Sequence, residues 1–112
     1  MSKEFLVYVR HMIDAIKKIE SYTKEMDSQK FLNNKMVQDA VMRNLEIMGE
    51  AAKRVPSSIR SQYPSIEWKK IAGLRDILIH EYLGVDVEKV WGVVENRLTS
   101  LKKNLTKVIN GH

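Results

Sequence analysis

The stretch VEKVWGVVENRLTSLKKNLTKV, residues 87–108, repeats apolar side chains at alternating steps of four and three residues. An α-helix turns once every 3.6 residues, so this spacing places the apolar side chains on one face. We therefore predict one long amphipathic helix, which packs inside its own bundle or against a second copy of the chain. Asp86, directly before the stretch, is the predicted N-cap. The apolar positions are Val87, Trp91, Val94, Leu98, Leu101, Leu105 and Val108.

The same periodicity predicts three further helices, over residues 3–25, 35–55 and 66–82. Ser65 is the predicted N-cap of the third of these helices. Pro56 ends the second, because proline cannot donate a backbone hydrogen bond and disfavours helical geometry in the residue before it. The connections 26–34 and 56–65 each have room for one short helical turn.

No stretch alternates apolar and polar residues as a half-buried strand would. Long helices joined by short connections favour an antiparallel bundle. We predict an all-α fold, an antiparallel bundle of four to five helices that forms one domain over residues 1–112. A chain of this length buries a modest share of its surface, which leaves room for an oligomer. Trp68 and Trp91 are expected in the core or an interface, with base stacking as the alternative.

Composition excludes several classes of site. The chain has no cysteine, so a disulfide framework, a thiolate metal site and a cysteine nucleophile are all impossible. No apolar run in the first twenty residues is long enough for a signal peptide or a membrane span. We therefore expect neither segment, and we expect a cytoplasmic protein. The net charge of +5 is compatible with a nucleic-acid partner, although lysines on solvated helix faces explain it equally well.

Polar residues that can do chemistry are grouped in GLRDILIHEYLGVD, residues 73–86. On a helix, Asp76 and His80 share one face, and Arg75 and Tyr82 share another line. Asp76 can orient the imidazole of His80 and raise its basicity, while the planar guanidinium of Arg75 suits phosphate oxygens. A base, its orienting group and a phosphate clamp are the minimum for metal-independent attack of a ribose 2′-hydroxyl on its own phosphodiester.

The same spacing has a simpler interpretation, since an aspartate and a histidine four residues apart are common on solvated helix faces. An ideal helix also separates Arg75 from His80 by about 140°. Either the helix distorts, or the long side chains converge, or a second subunit completes the site. His11 and His112 have no partner pattern, and we interpret both as surface residues.

Two blocks carry a resemblance to a known family. WKKIAGLRDILIHEYLGVD, residues 68–86, is similar to the signature of the HepT-like proteins, a branch of the HEPN superfamily. AVMRNLEIMGEAAKRVP, residues 40–56, resembles the second characteristic block of that family. The spacing of the blocks and the dipeptide VW at residues 90–91 match as well, so the resemblance spans nearly the whole chain.

The resemblance implies a helical homodimer whose two Arg-x4-His motifs meet in a cleft across the interface. It implies a metal-independent endoribonuclease without a cofactor, acting as the toxin of a type II or type VII-like toxin–antitoxin pair. Arg75 and His80 match the catalytic pair, and Asp76 matches the polar residue that often follows the arginine. Tyr82 matches the tyrosine to which the partner, a small nucleotidyltransferase called MNT, transfers AMP from ATP.

Arg43, Glu46 and Glu50 lie in the second block. The two glutamates are one helical turn apart, a spacing that can hold a metal ion or pair with Arg43. Without a nearby histidine, we interpret the three residues as supports of the cleft or of the dimer contact, and Gly49 as a point of close helix approach. A rival interpretation of the chain is a non-catalytic module that binds RNA or a nucleotide, or that serves mainly as the transferase's protein substrate.

Overall fold

Helices form most of the described chain, which in this computed structural model comprises residues 3–80 and 84–112 without the side chains of residues 77, 79 and 80. The helices in these ranges are α1 (Phe5–Thr23), α2 (Ser28–Leu32), α3 (Lys35–Lys53), α4 (Ser57–Gln62), α5 (Trp68–His80), α6 (Val87–Asn96) and α7 (Leu98–Asn110). No strand occurs there, so the predicted all-α class is confirmed. None of these helices is both long and apolar enough to cross a membrane.

Helix α1 lies antiparallel to both α3 and α7. Tyr8, in the first half of α1, packs under the guanidinium of Arg54 just beyond the end of α3, with 5.9 Å from Cζ to the ring centroid. Glu20, near the end of α1, pairs with Lys102 in the first half of α7 at 2.6 Å from Oε1 to Nζ. These contacts confirm the antiparallel arrangement that the short connections predict.

The core lies between α1, α3 and α7 and is closed by a phenylalanine from α2. Each fully buried aliphatic or aromatic side chain contributes about 1.5–3 kcal/mol through the surface that it removes from water. The largest of these side chains, all at most 1% exposed, are Val9, Met12, Ile16, Ile19, Phe31, Val41, Leu45, Met48, Leu98, Leu105 and Val108. The apolar stripe of the last helix is therefore largely used within the chain itself.

Both tryptophans belong to the core. Trp68 is 6% exposed and Trp91 is 9% exposed, so neither offers a ring face to a base. The indole nitrogen of Trp68 donates a hydrogen bond to the backbone oxygen of Tyr63 at 3.1 Å. The ring of Trp91 packs on Phe31 with 5.2 Å between centroids. Of the two expectations for these residues, burial in the core is confirmed.

The single long helix predicted for residues 87–108 is interrupted at Arg97. Its N-cap is confirmed, since the Asp86 carboxylate accepts hydrogen bonds from two backbone N–H groups of the first turn of α6. The interruption has a packing reason, because α6 contacts α2 while α7 contacts α1. A break between α6 and α7 lets each half of the apolar stripe face a different helix.

The helix predicted from residue 66 begins two residues later, at Trp68. Ile66 N–H donates to the Tyr63 carbonyl and Trp68 N–H to the Ile66 carbonyl, so tight turns precede the first helical residue. Ser65 lies within these turns and is not the N-cap, which corrects that prediction. The predicted end of this helix lies outside the described residues. The short turns predicted within 26–34 and 56–65 are present as α2 and α4.

Helices α3 and α5 approach each other closely at Gly49. A Cβ atom at this position would lie 2.7 Å from Cβ of Arg75, 2.8 Å from its backbone nitrogen and 2.9 Å from the carbonyl oxygen of Ile71. Two of these three atoms belong to the backbone and cannot rotate away. Only glycine therefore allows this approach, as predicted, and the approach sets the position of Arg75 relative to α3.

We expect Gly49→Ala to lower the free energy of unfolding by about 1–3 kcal/mol, because the added methyl group overpacks the α3–α5 contact. Gly73→Ala is the matched control within α5, where the added Cβ meets no described atom within 4 Å apart from its chain neighbours and the nearby backbone of its own helix. The control should match the wild type or gain up to about 1 kcal/mol from the better helix propensity of alanine. Urea titration measures both, and equal effects of the two substitutions would contradict the close approach.

Candidate active site

Two carboxylates hold the guanidinium of Arg75 at the contact between α3 and α5. Its Nε atom lies 3.0 Å from Oε2 of Glu50, which follows Gly49 on α3. Its Nη1 atom donates to Oδ1 of Asp76, the next residue of α5, at 3.3 Å. These ion pairs use two of the five N–H donors that a guanidinium carries. The group is thus oriented before any ligand binds, while its side chain stays 37% exposed.

Asp76 connects the two helices a second time. Its Oδ1 atom also accepts a hydrogen bond from Nζ of Lys53, on the last turn of α3, at 2.8 Å. This hydrogen bond is the main cause that holds the pKa of Asp76 below its ordinary value. Desolvation opposes it less strongly, and the hydrogen bond from Arg75 lowers the pKa further. Asp76 is therefore an ionised anchor for both cations. The predicted hydrogen bond from His80 to Asp76 involves a side chain outside the described residues.

Arg75 opens onto a cleft of about 440 Å³ between α1, α3 and α5. Arg43 and Arg54 also line this cleft, together with Glu46 and Glu50. Three arginines against two glutamates give these five side chains a formal charge of one positive unit, which favours an anionic ligand. A cleft of this volume has the size of a small-ligand pocket.

The glutamates of the second sequence block pair with arginines. Oε2 of Glu46 lies 3.1 Å from Nη1 of Arg43, and Oε1 of Glu50 lies 3.5 Å from Nη2 of Arg54. Glu50 therefore contacts Arg54 through one oxygen and Arg75 through the other. Within the described part of the chain, no three histidine or acidic side chains are arranged to hold a metal ion. The structure thus brings the predicted supporting residues to the cleft of Arg75.

Sequence reasoning missed the side of the cleft that α1 forms. Tyr8 and His11 line it, and their rings meet edge to face with 6.2 Å between centroids. His11 is exposed, as predicted for a surface residue, but it lies on the wall of the cleft. Their spacing of three residues, beside the apolar stripe of α1, was the only available signal, and that spacing is common on helices.

Of the other two predicted site residues, the structure describes only the backbone of His80. His80 is the last described residue of α5, and its backbone is about 7.5 Å along the helix axis from that of Arg75 at a rise of 1.5 Å per residue. The side chain of His80 and all of Tyr82 lie outside the described residues. Their predicted roles in catalysis and modification remain predictions.

The arrangement suits the binding of a phosphate. A guanidinium presents a planar fork of N–H donors that matches two oxygens of one phosphate group. Donors held in place before the substrate arrives stabilise developing negative charge without reorganising during the reaction. Glu50 and Asp76 provide that restraint for Arg75.

We expect the stabilising effect of Asp76 to depend on pH in one direction. Because its pKa is lower in the folded protein, its contribution is present above the ordinary aspartate range and is lost as the pH falls through the lowered value. The melting temperature of Asp76→Asn should therefore fall below that of the wild type near neutral pH, and the difference should shrink as the pH falls through the range in which Asp76 becomes protonated. Asp14→Asn, on an exposed position of α1, is the control and should match the wild type near neutral pH. A pH-independent difference for Asp76→Asn would contradict this assignment.

The chain is similar to known proteins over a range that includes most of α1 and all of α3 and α5. The family model described as "Ribonuclease HepT-like" matches residues 12–108, which include the cleft residues of α3 and α5. A protein of Thermococcus cleftensis named "Probable ribonuclease HepT" is 40% identical over 108 residues, covering 96% of this chain and 98% of its own length. No solved structure matches the chain significantly.

Two relatives from Methanocaldococcus jannaschii match segments of similar length. One, named "Putative RNase", is 39% identical over 107 residues, covering 96% of this chain and 92% of its own length. The other, named "Gamma-glutamylcyclotransferase and putative RNase", is 41% identical over 109 residues, covering 97% of this chain. The chain spans only about half, 49%, of that second protein. The family match over most of the chain and these identities show that the chain belongs to the HepT-like ribonuclease family.

Proposed function

We propose that this protein is a metal-independent endoribonuclease in which Arg75 binds the scissile phosphate and His80 is the general base. The observation that supports the proposal most strongly is the guanidinium of Arg75, held by Glu50 and Asp76 at a positively charged cleft. His80 follows Arg75 by five residues on the same helix, as in the Arg-x4-His motif that the family resemblance implies. Membership of a ribonuclease family supports RNA as the substrate class.

The proposed reaction needs one base, one acid and one cation. His80 removes the proton of a ribose 2′-hydroxyl, and that oxygen attacks the adjacent phosphorus atom. The bond from phosphorus to the 5′-oxygen breaks, which leaves a 2′,3′-cyclic phosphate and a 5′-hydroxyl. A second imidazole supplies the proton for the leaving oxygen. Arg75 stabilises the negative charge that develops on the phosphate oxygens.

We propose that the active protein is a homodimer. Arg75 and His80 are about 140° apart in ideal helical projection, so a single ideal helix would not direct both side chains to the same point. A second copy that presents its own motif to the same cleft would supply the missing partner and the second imidazole. The exposed cleft and the exposed part of the Arg75 side chain leave that approach open.

We further propose that the protein is the toxin of a toxin–antitoxin pair, controlled at Tyr82 by an MNT-type nucleotidyltransferase. In the transfer, the phenolic oxygen of Tyr82 attacks the α-phosphorus of ATP and pyrophosphate leaves. The attached AMP carries a phosphate that competes with substrate for Arg75. Its covalent attachment keeps its effective concentration high, so that a weak contact is sufficient to block the cleft.

We expect His80→Ala to lower kcat/KM for RNA cleavage by at least about 100-fold, as loss of a general base does. Arg75→Lys should also be impaired, because an ammonium group lacks the planar fork. Cleavage by the wild type should persist in EDTA. His112→Ala, which lies outside the cleft, is the control for loss of a histidine. Undiminished cleavage by His80→Ala would refute the assignment, and RNA binding without cleavage by the wild type would favour a binding module.

We expect Tyr82→Phe to accept no AMP from labelled ATP in the presence of the partner transferase, because it lacks the acceptor oxygen. This variant should therefore stay toxic when the transferase is co-expressed, as measured by growth. Tyr22→Phe, a substitution on α1 away from the cleft, should be modified and neutralised like the wild type. A Tyr82→Phe protein that gains no AMP but is still neutralised would replace the switch with simple occlusion by the partner.

A further inference from the structure

The α1 side of the cleft carries two rings that the proposed cleavage chemistry does not use. Tyr8 is half-buried and His11 is exposed, and both line the same cleft as Arg75. Arg54 completes the group, with its guanidinium 5.9 Å above the ring of Tyr8. Aromatic rings and guanidinium planes are the surfaces on which proteins stack the unpaired bases of single-stranded RNA.

We propose that Tyr8, His11 and Arg54 form a subsite for one nucleobase of single-stranded RNA, next to the phosphate site at Arg75. In this arrangement the base stacks on the ring of Tyr8, the guanidinium of Arg54 covers its other face, and the imidazole of His11 borders its edge. The inference rests on the proposed function for the nature of the ligand, but it assigns residues that the cleavage chemistry leaves without a role.

Glu50 places this subsite beside the phosphate site. Its Oε1 atom contacts Arg54 at 3.5 Å, and its Oε2 atom contacts Arg75 at 3.0 Å. Two guanidinium groups bound to the two oxygens of one carboxylate are necessarily close neighbours. The subsite and Arg75 are therefore close enough for one nucleotide to place its base in the subsite and its phosphate on Arg75.

The subsite of Tyr8, His11 and Arg54 can open to admit a base. The side chain of Arg54 is 58% exposed, and its contact with Glu50 is the longest of the ion pairs in the cleft. A small outward movement of this side chain makes room between the guanidinium and the Tyr8 ring. The cleft volume of about 440 Å³ suits a ligand of nucleotide size. The subsite therefore selects an unpaired nucleotide, whose base is free to enter the cleft.

The test measures binding separately from cleavage, with a fluorescent 2′-O-methyl oligoribonucleotide whose blocked hydroxyl cannot attack. We expect Tyr8→Leu to raise the Kd, measured by fluorescence anisotropy, by about 5- to 150-fold, the range for loss of one stacked base. Tyr8→Phe keeps the ring and should bind like the wild type. Tyr22→Leu is the matched control on α1, about 21 Å farther along the helix axis. A duplex of the same sequence should compete poorly.

Substitutions of the exposed residues test the subsite independently of the half-buried Tyr8. His11→Ala and Arg54→Gln should each weaken binding without lowering the melting temperature, since both side chains are largely in solvent. On cleavable RNA, Tyr8→Leu should raise KM and leave kcat near that of the wild type. A fall in kcat with a changed pH profile in His11→Ala would instead assign His11 to proton transfer and overturn this proposal.

The outcomes separate this proposal from the proposed function. If Tyr8→Leu, His11→Ala and Arg54→Gln all bind the oligonucleotide like the wild type while His80→Ala abolishes cleavage, the subsite is wrong and the ribonuclease assignment stands. If the wild type binds the oligonucleotide through Tyr8 but cuts no RNA, the subsite stands and the cleavage chemistry is wrong. Equal weakening by Tyr8→Leu and Tyr22→Leu would overturn the subsite as well.

Discussion

The close approach of α3 and α5 at Gly49 is the constraint on which the candidate site depends. Because Gly49 has no side chain, the backbone of α5 at Arg75 lies almost in contact with α3. Two charged residues that follow Gly49 on α3, Glu50 and Lys53, then reach Arg75 and Asp76, respectively. The close packing of the two backbones thus allows the ion pairs that orient the guanidinium of Arg75.

This arrangement gives Arg75 two opposing properties. Glu50 and Asp76 hold the guanidinium in one orientation, which favours tight recognition of a phosphate, but their charges partly offset the charge that a phosphate would bind. The excess of arginine over glutamate in the cleft leaves a positive field to draw in a polyanion. Arg54 and Arg75 share Glu50, so a ligand that binds one of these arginines changes the surroundings of the other.

Much of the fold followed from local patterns. The apolar periodicity predicted α1 and α3 closely, and Asp86 was correctly predicted as a cap because capping involves only residues two or three positions away. The interruption at Arg97 was not predictable, since the apolar stripe continues through it. Only the packing of α6 on α2 and of α7 on α1 explains the break. The start of α5 was misplaced because a serine before an apolar run resembles a cap even when the chain turns there.

The sequence by itself determined the all-α class, the approximate extent of most helices and their apolar faces, because those properties depend on residues within one or two turns of each other. The family resemblance indicated that Arg75 and its neighbours belong to the functional site. Only the tertiary structure decided that Glu50 holds Arg75 and that Lys53 holds Asp76, because helix packing sets which side chains meet. Tyr8 became a cleft residue for the same reason. Its partner Arg54 lies just beyond the end of α3, and no local pattern specifies how α1 and α3 are placed against each other.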